Sequence, residues 1–142
     1  IVILVDELGE RTMLTDRGAA AELEAIDPAW LEGTRWLHLP LYGFADALSR
    51  VTLLSAAAWA GERAVPVSVD LSSVATMRAL GSERVRTLLV DLSPVVVFAN
   101  AEEAVFLDEL RVGLPAGTVF VVKRGGDPVQ IRQDDDVTLV AV

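Results

Sequence analysis

The 142 residues carry 12 Lys and Arg against 21 Asp and Glu, a formal charge of −9, with 52% hydrophobic residues and no cysteine. That length suffices for one core, and that apolar share excludes a disordered chain. The acidic balance excludes a surface that tracks nucleic-acid phosphates, which needs clustered cations, and the lack of cysteine excludes a disulfide framework or a thiolate metal site.

Residues 1–5 and 12–15 are apolar or β-branched runs around Asp6-Glu-Leu-Gly9-Glu10, which predicts a hairpin. Residues 19–26 have helical composition and stop before Pro28, whose ring disfavours helical geometry in Asp27. Residues 35–41 read as a strand, with the lone His38 in a structural place between Leu37 and Leu39, and Tyr42-Gly43 as a turn after it. In the next helix Ala47, Val51, Leu54 and Ala58 share one apolar face, and Gly61 is placed to end it. That helix is too short to span a bilayer, and the first five residues run into Asp6 with no basic leader, so the chain reads as soluble and cytoplasmic, without nucleic acid or membrane as a partner.

Residues 65–71 form a buried strand with Asp70 near its carboxyl end. Ser72 and Ser73 can cap a helix through Leu80, Gly81 can stop it, and Ser82 can cap another whose core face is Val85, Leu88, Leu89 and Leu92. Residues 95–98, 101–110 and 118–122 then read as strand, helix and strand, so the order is βαβαβαβ and the sheet should be largely parallel. Gly125-Gly-Asp-Pro128 turns into residues 129–132, Asp134-Asp-Asp136 is a solvated hairpin tip, and residues 137–142 form a last strand. One domain over 1–142 is the simplest division, with both ends expected to be cut.

In such sheets ligands bind beyond the carboxyl ends of the strands, where Asn100, Glu103, Asp70 and Tyr42-Gly43 are expected. Asn100-Ala-Glu-Glu103 is in the first instance a helix-capping box. Lys123-Arg-Gly125-Gly126 is an ordinary hairpin turn when it stands alone. G-x-G-x-x-G, the P-loop and G-x-S-x-G are absent, which counts against dinucleotide dehydrogenases, Walker-type ATPases and serine hydrolases.

Taken together, Gly9-Glu-Arg-Thr12, Arg17-Gly-Ala19, Tyr42-Gly43, Asn100-Ala-Glu-Glu103 and Lys123-Arg-Gly125-Gly126 resemble, in order and spacing, the central portion of the ribokinase-like (PfkB-type) carbohydrate kinases. The resemblance implies a three-layer αβα sandwich with a largely parallel sheet and a small β lid hairpin over about residues 1–17. It implies ATP and Mg²⁺ as cofactors and phosphorylation of a sugar hydroxyl. Asn100 and Glu103 would organise Mg²⁺ through water, and Lys123, Gly125 and Gly126 would border the nucleotide. Ile1, Ile3, Arg17, Tyr42 and Gly43 would lie toward the sugar, and the lid strands could pair two copies.

Two departures matter. Pro128 stands where a further Gly is expected, and proline fixes φ and lacks an N–H. The family's D-T-x-G-A-G-D turn, which supplies the anion hole and the base, does not occur in the 142 residues, so the fragment alone is expected to be inactive. A non-catalytic or degenerate nucleotide- or sugar-binding module, and a Rossmann-like domain with another ligand, stay open beside the kinase.

Overall fold

Runs of valine and other β-branched or aromatic residues alternate with alanine- and leucine-rich segments, and the chain sorts them into strands and helices accordingly. A computed structural model describes residues 2–7, 9, 11–16, 18 and 22–142. Strands β1 (Val2–Val5) and β2 (Arg11–Leu14) pair antiparallel as a separate two-stranded hairpin, in the register Val2 opposite Leu14. The main sheet runs β3 (Leu37–Pro40), β4 (Val67–Asp70), β5 (Val96–Asn100), β6 (Val119–Arg124), β7 (Asp127–Gln133) and β8 (Asp136–Val140), side by side in that order. Its first four strands are parallel, as the largely parallel sheet expected requires, and its last two run antiparallel, so the whole sheet is mixed.

The crossovers are α1 (Ala47–Glu62) between β3 and β4, α2 (Val74–Leu80) with α3 (Ser82–Leu92) between β4 and β5, and α4 (Ala101–Glu109) between β5 and β6. Alternate strand residues Leu39, Val67, Val69, Val97, Ala99, Phe120 and Val122 are buried and lie in register across the sheet, so they share one face. They form a single core with Leu53, Ala57, Met77, Val85, Leu89, Ala104 and Leu107 of the four helices. All four helices therefore cover the same face, as successive right-handed crossovers advancing in one direction require. The described residues supply two of the three expected layers; Val96, Phe98, Val119, Val121 and Ile131 on the other face stay half-exposed.

Two local expectations are corrected. The described part of the expected helix over 19–26, from Glu22 on, is irregular, and a short 3-10 turn (Pro28–Leu31) follows it instead. Asp27 takes extended geometry before the proline and caps Ala29 N, while the carbonyls of Leu23 and Glu24 accept from Thr52 Oγ1 rather than from a helical turn. In α1 the buried face is Ser49, Thr52, Leu53, Ala56, Ala57 and Ala60, and Ala47, Val51 and Ala58 are exposed. This helix is apolar nearly all round, so its periodicity could not name the inner face; small side chains and one hydrogen-bonded threonine allow the close approach. By contrast α3 buries Val85, Leu88, Leu89 and Leu92 as expected, because its other face is charged.

Candidate functional site

Strand β5 leaves the sheet at Asn100, and the chain turns at once into α4. The backbone N–H groups of that first turn have no helical partner, and side chains supply one for Glu103 and for Asn100 itself. Asn100 Oδ1 accepts from Glu103 N at 2.8 Å, while Glu103 Oε2 accepts from Asn100 N at 2.8 Å and Oε1 from Asn100 Nδ2 at 2.9 Å. The capping box expected from the sequence is complete. Glu103 is only 3% exposed. Burial pushes its carboxyl pKa up; the Asn100 N–H opposes this, Asp70 adds to it, Lys123 opposes it and Glu102 adds to it.

Lys123 is the register partner of Asn100 on β6. Its Nζ donates to Asp70 Oδ2 at 3.0 Å, and the other carboxylate oxygen accepts from Ser72 N at 2.8 Å. Ser72 holds a left-handed φ of 69°, uncommon for a residue with a side chain, and that kink turns the chain from β4 toward α2. Strand alternation points Asp70, Phe98, Asn100 and Lys123 to the face that the helices leave open. Because β5 separates β4 from β6, the ion pair bridges two strand spacings, about 9.5 Å of sheet, and crosses the end of β5.

Gly125 and Gly126 form the turn from β6 into β7, and Gly125 takes a φ of 65°. This loop starts two residues beyond Lys123, on the same rim as Asn100. Pro128 lies within β7, and Arg124 faces Asp127 at 3.9 Å across the turn. Tyr42 and Gly43 sit in a 3-10 turn (Leu41–Phe44) at the end of β3, beside Asp70 through the Pro40–Asp70 pairing. A Cβ at Gly43 would meet the end of the Leu53 side chain, Cδ1, at 2.6 Å, so Leu53 would have to shift to admit one. Ile3 lies on the separate hairpin, 54% exposed. Ile1 and Arg17 lie outside the described residues.

The rim thus gathers Asn100, Glu103, Lys123 and the Gly125-Gly126 turn, with Asp70 as a member whose link to Lys123 the sequence reading missed. The available signal was the only lysine of the chain at one strand end and an aspartate at another. Among the described residues no three His, Asp or Glu side chains gather to hold a metal by themselves. His38, expected in a structural place, meets Ser68 Oγ through Nδ1 at 2.8 Å, Trp36 Nε1 donates to the same oxygen at 2.8 Å, and the ring stands edge-on to Phe98. No helix of the described residues is long and apolar enough to cross a membrane.

No family model matches the chain, and no curated protein matches it significantly. Solved structures do. The adenosine kinase from Sinorhizobium meliloti matches 98% of this chain and 45% of its own, at 20% identity and a TM-score of 0.83. An Anopheles gambiae adenosine kinase in complex with P1,P4-di(adenosine-5) tetraphosphate matches 81% of this chain and 39% of its own, at 20% identity and a TM-score of 0.65. An uncharacterised sugar kinase from Pyrococcus horikoshii in complex with ATP matches 82% and 39%, at 17% identity and a TM-score of 0.67. The chain spans less than half the length of each. At such identities the likeness is one of architecture: this chain has the ribokinase-like α/β fold that adenosine and sugar kinases share.

Proposed function

We propose that the chain is the central portion of an ATP-dependent, cytoplasmic kinase that phosphorylates a hydroxyl of a sugar or nucleoside. The observation that carries this reading is the convergence of Asn100, Glu103, Lys123 and the Gly125-Gly126 turn on one rim of the parallel sheet, where such folds bind ligands. Phosphoryl transfer is mostly positioning and charge stabilisation, so the demands on this rim are modest. Lys123 would offset phosphate charge, and the backbone of Gly125 and Gly126 would approach the nucleotide closely for want of side chains. Mg²⁺ keeps several waters and takes few direct protein ligands. Glu103, with both oxygens already held by Asn100, would act on it through water together with Asn100, and the ion when bound would supply charge neutralisation for the phosphates. The exposed apolar strands of the hairpin would pair two copies, since such edges invite partners.

A second reading, a binding module without transfer, is favoured by how fully the capping box accounts for Asn100 and Glu103, and by Pro128. Calorimetric titration of the chain and of Glu103→Ala with ATP, with and without Mg²⁺, tests the first. Mg²⁺-dependent binding weakened roughly 10- to 100-fold in the variant, as loss of an indirect metal contact does, is expected. Equal affinity in all four titrations overturns the metal assignment. No sugar-dependent ATP turnover is expected from these 142 residues, and detectable turnover would contradict that part.

A further inference from the structure

The charges on the rim are unbalanced. Asp70 and Glu102 both act on Glu103, and Lys123 is the cation that opposes them there. The first turn of α4 bears two carboxylates, Glu102 and Glu103, and Asn100 already holds its Glu103 N–H, which makes it a poor seat for an anion. Lys123 is itself engaged: 3.0 Å from Asp70 Oδ2, it reaches across the end of β5 to a carboxylate that Ser72 N holds by its other oxygen. Asp70 is 24% exposed and anchored, whereas Lys123 is 53% exposed on a long stem, so the lysine is the partner free to move.

We propose that Asp70 is a specificity-determining residue that holds Lys123 in reserve and so makes the rim discriminate against metal-free polyphosphate. A bare polyphosphate must draw Lys123 away from Asp70 and then lie against an uncompensated carboxylate. A polyphosphate that carries a divalent cation brings the charge that offsets Asp70, and Lys123 is released to the phosphate oxygens at little cost. The exchange is purely electrostatic, with no bond made or broken, and it weakens with added salt. It rests on the kinase reading for the identity of the natural ligand, but its physical content concerns only Asp70, Lys123 and an anion.

The test measures affinity of the 142-residue chain for inorganic tripolyphosphate and for ATP, in EDTA and in excess Mg²⁺. It compares wild type with Asp70→Asn, Lys123→Met and the double variant. Asparagine keeps an oxygen for Ser72 N, and Lys123 is exposed, so both changes spare the fold. Asp70→Asn is expected to tighten metal-free tripolyphosphate binding roughly tenfold, the order expected for removing one charge a few ångströms away near a surface, with a change of less than about twofold for the Mg²⁺ complex. The gain should be smaller when Asp70→Asn is made in the Lys123→Met background, where only the repulsion is relieved, and should shrink at high salt. Equal weakening of both forms by Asp70→Asn, no change, or a gain undiminished in the Lys123→Met background overturns the proposal. A wild type that ignores Mg·ATP while the tripolyphosphate pattern holds would instead sink the kinase reading alone; no binding by any variant sinks both.

Discussion

Asn100 does two things that the physics of a strand-to-helix junction asks of it: its backbone ends β5 and its side chain satisfies the first turn of α4. Asn100→Ala is expected to cost about 1 kcal/mol, the usual worth of a cap, measurable as a lowered denaturant midpoint. Glu103 carries a pH signature. Its carboxyl pKa is raised in the fold above 4.5, so the native state holds that proton more tightly than the unfolded chain does. The resulting stabilisation is full below the unfolded value and is lost as pH rises through the folded one. The difference in thermal stability between wild type and Glu103→Ala should therefore shift against the wild type from about pH 4 upward; a pH-independent difference would show that the carboxyl is not perturbed. The pattern Asn-x-x-Glu made this cap legible in the sequence. The Asp70–Lys123 pair was not legible, because it joins residues 53 apart through strands that are not neighbours.

At the level of elements, α3 and α1 make a useful contrast. The charged residues of α3 leave one stripe for the core, and the sequence named it. The alanine-rich α1 offers apolar residues on every side, so only packing against β3, α3 and the 3-10 turn at Gly43 selected Leu53 and the alanines over Val51. Leu53→Ala is accordingly expected to cost about 2–5 kcal/mol, as core truncations do, and Val51→Lys to change stability by less than about 0.5 kcal/mol. Chemical unfolding of the two variants decides the matter, and a reversed order would return the core face to Val51. The irregular backbone of residues 22–27 before Pro28 has a related cause: so short a segment is marginal as a helix without packing, and its Leu23 and Glu24 carbonyls bond Thr52 instead.

Across the whole molecule, one face of the sheet is packed and the other is half-open. Parallel strands are normally covered on both sides, which is why β5 reads as the continuous run Val95-Val-Val-Phe98-Ala99 rather than as an alternating one. The open face carries Val96, Phe98, Val119, Val121 and Ile131 below the polar rim of Asp70, Asn100 and Lys123. The chain is expected to bind a hydrophobic dye such as ANS there, and joint replacement of Val96 and Val121 by Thr should lower the dye signal while far-ultraviolet ellipticity is kept. Undiminished fluorescence would place the dye elsewhere.

Sequence alone determined the class of fold, the order of strands and helices from residue 37 onward, the α3 core stripe and the Asn100–Glu103 cap, because each is written in periodicity or in contacts three or four residues apart. Only the tertiary structure decided which side of α1 is buried, that every helix covers the same sheet face, and that Lys123 crosses β5 to Asp70. Those outcomes depend on strand order and on the approach of distant backbones, and no local pattern encodes either.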